Sequence, residues 1–164
     1  MDRVSGIVTK GDLQKLPVRM WLFELISLIE MQFLRLVRDG WPDESWKKPI
    51  SPERLVDAQK MLANRQIRNE RIDLADCLQF CDKRDIVLEN NPLRTELGFK
   101  SKKSGEMILK QLENLRNNLD HAQDILEGRW RELSKLVDNA EDILNAAEKI
   151  DAETAKKLCV PRAE

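Results

Sequence analysis

The residues of this chain that could carry out acid–base chemistry are concentrated in one short run, Leu115-Arg116-Asn117-Asn118-Leu119-Asp120-His121. His121 is the only histidine in the sequence, so imidazole catalysis by one copy of the chain has to use it. Arg116, earlier in the same run, offers the charge that stabilises a phosphate in a transition state. These residue types therefore predict acid–base chemistry on a phosphate.

A single amphipathic helix is predicted to carry this run. At about 100° per residue, Arg116 falls near the edge of the apolar stripe, while Asn117 and His121 lie on the polar face. Arg116 and His121 diverge by about 140° on a straight helix, so a kink or a second copy of the chain must bring them to one phosphate. The apolar residues that recur in steps of four and three, and so define the stripe, are Ile108, Leu112, Leu115, Leu119, Ala122 and Leu126.

The segment from Arg116 to His121 resembles the motif of the HEPN superfamily of all-helical proteins, in which an arginine and a polar residue precede a histidine. The resemblance implies metal-independent RNA cleavage, without a cofactor, where two protomers meet. It assigns His121 as general acid–base in a 2′-hydroxyl attack on the adjacent phosphate, Arg116 as transition-state cation and Asn117 as orienting group. Many members add an acidic or polar helper from another helix, and the sequence identifies none here.

The resemblance to the CBS-linked branch of this superfamily extends through residues 25–38, 73–84 and 115–126. In addition, Gly6-Ile7-Val8-Thr9 followed by Asp12-Leu13 resembles the closing strand and helix start of a CBS motif, where the Thr and Asp positions contact an adenine nucleotide. The elements that would complete such a pocket are missing from the sequence, so no nucleotide site is assigned to Thr9 or Asp12. An attached CBS module is an expected partner, and a simple N-terminal arm is the alternative.

Other interpretations of the motif stay open. Arg116 and Asp120 are four residues apart, so they could form a surface ion pair beside a solvated His121. The chain would then be a catalytically inactive helical dimer, a regulatory module linked to CBS-type nucleotide sensing. A third hypothesis is a HEPN toxin that a separate antitoxin neutralises. Under the enzyme hypothesis, replacing Arg116 or His121 is expected to cost little stability, because both lie outside the apolar stripe.

Composition limits the partners that the chain can attract. There are 28 Lys and Arg against 29 Asp and Glu, so the net charge of −1 gives no overall attraction to nucleic acid. RNA contact needs a local patch, and Lys100, Lys102 and Lys103 directly before the motif helix are the candidates, with a solvated connector as the alternative. We find neither a long uncharged apolar run nor a signal peptide, and expect a cytoplasmic protein that does not enter membranes.

Three cysteines, an odd number in a chain without secretory features, predict free thiols rather than a disulfide. Cys77 and Cys81 are four residues apart, on one face of a predicted helix, where they would pack in the core. This helix is predicted over residues 73–84, with an extension to Leu88 as the longer alternative, and Asn90-Asn91-Pro92 is expected to end it. With one histidine and no second cysteine pair, the sequence lacks the ligands of a structural zinc site.

The periodic segments predict an all-α protein, an up-and-down bundle of about five helices that is expected to be dimeric. Residues 1–16 are predicted to form an arm with a strand over residues 3–9, residues 17–150 the bundle, and residues 151–164 a polar tail. The helix over residues 18–37 is apolar on nearly every face, so it is either central or shared with a second subunit. The loop over residues 39–50 is expected to pack on the bundle through Trp41 and Trp46.

Overall fold

The computed structural model of this chain describes residues 9–121, 123–125 and 130–159. Within these residues the protein is helical and has no strand, which confirms the prediction of an all-α fold. None of these helices combines the length and apolar composition that a bilayer crossing requires. The seven α-helices, more than the predicted five or so, are α1 (Leu16–Gly40), α2 (Pro52–Ile67), α3 (Phe80–Glu89), α4 (Asn91–Glu96), α5 (Lys102–Asp120), α6 (Trp130–Lys149) and α7 (Ala152–Cys159).

The N-terminal arm is described only from Thr9 onwards. Residues 3–8 of the predicted strand lie outside the described part. Thr9 precedes a 3-10 turn, Lys10–Gln14, and both its N–H and its hydroxyl donate to Asp12 at 2.7 Å. Hydrogen bonds from the side chains of Lys15 and Thr9 lower the pKa of Asp12. Hydrogen bonds among these local side chains therefore fix the backbone of the arm immediately before α1 begins.

The first helix, α1, lies at the centre of the described part, which is one of the two alternatives that its apolar composition left open. Pro17 occupies the first turn, where its missing N–H costs no hydrogen bond. The helix packs against α3, α5, α6 and α7. Phe33 is fully buried and stacks on Phe80 of α3, with the ring centroids 6.4 Å apart. Along the same side of α1 lie the buried residues Leu22, Leu25, Ile26, Ile29, Leu36 and Val37.

The segment between α1 and α2 folds back on the core, as predicted. Trp46 is buried and Trp41 is half-buried against the hydrophobic core. Ser51 then caps α2, because its hydroxyl oxygen accepts from the N–H of Arg54 at 3.5 Å, and Pro52 takes the first helical position.

The helix predicted over residues 73–84, with an extension to Leu88 as the longer alternative, is correct from Phe80 onwards and wrong before it. A 3-10 turn (Ala75–Cys77) is followed by extended Leu78, and α3 begins only at Phe80. The reason is local: the N–H of Asp73 donates to the Asp76 carboxylate at 2.9 Å and the N–H of Asp76 to the Asp73 carboxylate at 3.1 Å, which competes with helical bonding. Cys77 and Cys81 therefore lie on different elements, with Cys77 buried and Cys81 half-buried.

The segment before the motif helix, for which a solvated connector was one interpretation, forms a short helix and a turn. Asn90-Asn91-Pro92 ends α3 as predicted, but the Asn90 side chain then caps α4 by accepting from the N–H of Leu93 at 2.8 Å. Gly98 turns the chain with a φ of +83°, a conformation that favours glycine. Ser101 caps α5, its hydroxyl accepting from the N–H of Ser104 at 3.1 Å.

The C-terminal residues 152–159, expected to belong to a polar tail, form α7 instead. Its Ala155 and Cys159 are buried, and burial raises the pKa of the Cys159 thiol to about 12. The close approach to α1 requires Gly40, because a Cβ there would lie 2.5 Å from the sulfur of Cys159. Ala155 and Cys159 are small enough for α7 to pack at this glycine, whereas the lysines between them suggested a solvated segment. Residues 160–164 of the expected tail lie outside the described part.

Candidate functional site

The motif helix α5 ends at Asp120, earlier than the predicted stripe, whose Ala122 and Leu126 lie outside the described part. It buries Leu112, Leu115 and Leu119, while the Arg116 side chain at the edge of the stripe is 28% exposed. Asn117 and His121 are exposed. His121 is the first residue after the helix, and its N–H donates to the carbonyl of Asn117 at 3.1 Å. The imidazole is thus at the C-terminal end of α5, one turn beyond Arg116.

Arg116 is held by a carboxylate from the central helix. Its Nη1 lies 2.9 Å from Oε2 of Glu30 in α1, and the other oxygen of Glu30 accepts from Nζ of Lys83 at 2.7 Å. The guanidinium carbon also lies 5.8 Å from the centre of the Phe80 ring, within the range of a cation–π contact. Arg116 therefore pairs with Glu30, not with Asp120 as the surface-pair interpretation supposed.

Further charge pairs extend from this site along α3. Arg84 bonds to Glu113 of α5 at 3.1 Å and to the adjacent Asp85 at 2.8 Å. Asp85 in turn accepts from Arg54 of α2 at 2.8 Å. These alternating charges tie α2, α3 and α5 together, while Arg116 joins α5 to α1 through its separate pair with Glu30.

Glu30 is the functional residue that the sequence analysis missed. It stands in the predicted helix over residues 18–37 as one of few charged positions, and that was the available signal. Its partners could not be inferred, because Lys83 is 53 and Arg116 is 86 residues away in the chain. Only the packing of α1 against α3 and α5 brings the three side chains together.

The three candidate RNA-binding lysines lie at the opposite end of α5. Lys102 is in its first turn, and its hydrogen bond to Glu89 raises the pKa of the Lys102 ammonium group. Lys100 and Lys103 are exposed. Because α5 has 19 residues, about 27 Å of helix separates these lysines from His121. Within one chain the structure does not bring them to the motif.

The cysteines have different environments. Cys77 and Cys81 line a cleft next to Arg54 and Asp82, and burial raises the pKa of both thiols, although Arg54 opposes the effect at Cys81. Within the described part of the chain, no three His, Cys, Asp or Glu side chains are grouped so that they could hold a metal ion.

Comparison with protein-family models, with curated proteins and with solved structures finds no match to this chain.

Arg116 was expected to contribute little to stability, but its ion pair with Glu30 joins α5 to α1. We therefore predict the effect of removing the Glu30 carboxylate. Replacing Glu30 by Ala leaves Lys83, whose side chain is only 6% exposed, without its carboxylate. We expect Glu30→Ala to lower the free energy of unfolding by about 3–5 kcal/mol, as for other broken buried ion pairs. Denaturant unfolding followed by circular dichroism measures this quantity.

The matched control is Glu148→Ala, an exposed glutamate of α6, which is expected to change the free energy by less than about 0.5 kcal/mol. Equal effects of the two replacements would show that Glu30 does not hold α3 and α5 to α1.

Proposed function

We propose that the chain is one protomer of a metal-independent endoribonuclease of the HEPN type, acting at a site that two copies complete. The observation that supports this most is the arrangement at the end of α5. Arg116 is kept half-exposed by Glu30, and the sole histidine of the sequence is exposed one turn further on. An exposed imidazole and an ion-paired guanidinium suit acid–base chemistry on a phosphodiester. Because the two groups diverge along one helix, a second copy of the chain would bring them to the same phosphate.

In the proposed reaction, His121 accepts the proton of an RNA 2′-hydroxyl while the 2′-oxygen forms a bond to the adjacent phosphorus. The bond from phosphorus to the 5′-oxygen of the next nucleotide breaks, and this oxygen receives the proton that His121 took up, so the imidazole returns to its neutral form. The products are a 2′,3′-cyclic phosphate and a free 5′-hydroxyl. Arg116 balances the charge that develops on the phosphate oxygens, and the Asn117 amide orients the phosphate.

Glu30 fits the role of the acidic helper that the HEPN resemblance implies. A guanidinium has five N–H donors in a planar fork, and the Glu30 bond engages Nη1. The ion pair limits the directions in which the remaining donors point. Arg116 would then meet a phosphate without first losing much side-chain freedom, which is the advantage of a preorganised site.

The proposed second copy is supported by the outer face of α1. Met20 is 61% and Met31 64% exposed, and Trp21 and Leu28 between them are exposed as well. Trp21, Leu28 and Leu144 of α6 line a groove of about 440 Å³. Apolar surface of this extent on a central helix is typical of an interface, and a two-fold axis would supply a second Arg116 and His121.

A second candidate function is a catalytically inactive helical dimer that serves as a regulatory module. The specific observation in its favour is the same Arg116 contact, because an ion pair to Glu30 and a cation–π contact to Phe80 also stabilise a bundle without any RNA. The hypothesis of a toxin neutralised by an antitoxin assigns the same residues as the enzyme proposal and adds a protein partner. RNA cleavage is therefore the first property to measure for both of these hypotheses.

The dimer proposal predicts that the 19.1 kDa chain has about twice this mass by light scattering at micromolar concentration. Met20→Lys combined with Met31→Lys is expected to yield monomers, because it places charges on the apolar face of α1. The control is Ile67→Lys, which adds a lysine at an 80% exposed apolar position of α2 and should leave the dimer intact. A wild-type monomer would remove the composite site.

The enzyme proposal predicts cleavage of single-stranded, mixed-sequence RNA in the presence of a chelator. His121→Ala should slow cleavage about 10²- to 10⁴-fold, the usual contribution of general acid–base catalysis, with an unchanged circular dichroism spectrum. Arg116→Lys should also slow it, because an ammonium group lacks the planar fork. Product ends are identified by gel mobility before and after phosphatase treatment.

Asn114→Ala, at an exposed position of the same helix, is the control and should cleave as fast as the wild type. An inactive wild type, or His121→Ala with undiminished activity, would refute the enzyme and leave the regulatory module.

A further inference from the structure

Arg19, at the start of α1, contacts the end of α5 that carries His121. Its Nη1 donates to the carbonyl of Gln123 at 2.8 Å, and its Nη2 donates to the carbonyls of Asn118 at 3.1 Å and Leu119 at 3.0 Å. One guanidinium thus bonds to main-chain atoms on both sides of His121. The sequence analysis did not single out this arginine.

These bonds answer a requirement of the helix. The last four carbonyls of an α-helix have no partner within it, and the C-terminal end carries a partial negative charge. The N–H groups of His121 and Gln123 satisfy the carbonyls of Asn117 and Asn118 from within the chain, at 3.1 and 2.8 Å. Arg19 adds donors and a positive charge at the same place. The last turn of α5 is therefore fixed to α1 at the position of His121.

The segment before α1 takes part in the same contact. Gln14, the last residue of the 3-10 turn, donates from its side-chain amide to the carboxylate of Asp124. Arg19 thus bonds to the main chain on both sides of His121, and Gln14 bonds to the Asp124 side chain that follows it. A shift of this segment relative to α5 would move the imidazole.

We propose that Arg19 is a positioning residue for His121, which couples the N-terminal segment to the direction of the imidazole. Arg19 bonds to carbonyls and is not placed against RNA, so its effect on chemistry would pass through His121. The catalytic consequence rests on the proposed function, whereas the coupling to the imidazole does not.

The test uses the fact that His121 is the only histidine, so its imidazole C–H signals can be assigned in an NMR spectrum without ambiguity. We compare wild type, Arg19→Met and Arg19→Lys at one pH. Arg19→Met should shift or broaden the His121 signals. It should also lower kcat for RNA cleavage about 10- to 100-fold with little change in KM, the cost of a misplaced catalytic group. Arg19→Lys, which keeps the charge without the fork, should restore part of both.

The control is Arg38→Met, at the other end of α1, where Arg38 pairs with Asp73 and Asp76. It should leave the His121 signals and kcat unchanged. Wild-type His121 signals in folded Arg19→Met would overturn the proposal. If Arg19→Met does not fold, Gln14→Ala decides in its place: shifted His121 signals support the coupling, and unchanged signals overturn it.

The two proposals fail separately. A wild type that does not cleave RNA, together with shifted His121 signals in Arg19→Met, refutes the ribonuclease and keeps the coupling. A wild type that cleaves RNA, together with unshifted His121 signals in Arg19→Met, keeps the ribonuclease and refutes the coupling.

Discussion

The candidate site depends on the ion pairs that the Glu30 carboxylate forms. This carboxylate lies on the central helix α1 and meets two cations, Lys83 of α3 and Arg116 of α5. An ammonium group as buried as that of Lys83 is stable in its charged form only with such a partner. Because one carboxylate serves both cations, the packing of α3 on α1 and the placement of Arg116 are set together.

The central helix also holds the ends of two neighbours by the same means. Arg19 bonds to the carbonyls at the end of α5, and Arg35 bonds to those of Ala147 and Ile150 at the end of α6, at 2.7 and 2.8 Å. In both cases a guanidinium satisfies carbonyls that have no partner in their own helix. Two of the few charged residues of α1 thus bind the C-terminal ends of α5 and α6. His121 lies at the end of α5.

What could be predicted from the sequence was local. The steps of four and three in α5 gave the correct place for Arg116 at the edge of the stripe, although the helix ends before His121. The composition of α1 left a central place and a shared interface open, and the structure shows the central place. The four-residue spacing of Cys77 and Cys81 also fits one helix, but the reciprocal bonds of Asp73 and Asp76 end that pattern. The three-residue spacing of Asp73 and Asp76 was a signal for this turn. The prediction followed the helical periodicity instead.

Contacts between distant segments were beyond the sequence analysis. Nothing in the periodicity relates Glu30 to Arg116 or Arg19 to Leu119, since such pairs exist only after the helices have packed. The same holds for α7, whose docking depends on Gly40 lying opposite Cys159. The family resemblance suggested that an acidic helper exists, but its identity required the fold.

The central claim, that Arg116 and His121 receive an RNA phosphate, is tested most directly by titrating the protein with a short 2′-O-methyl RNA that cannot be cleaved. The His121 imidazole signals are followed by NMR as the RNA is added. The account predicts a saturable shift of these signals in the wild type and markedly weaker binding in Arg116→Lys, because the fork that contacts the phosphate is lost. Signals that stay in place up to millimolar RNA would contradict it.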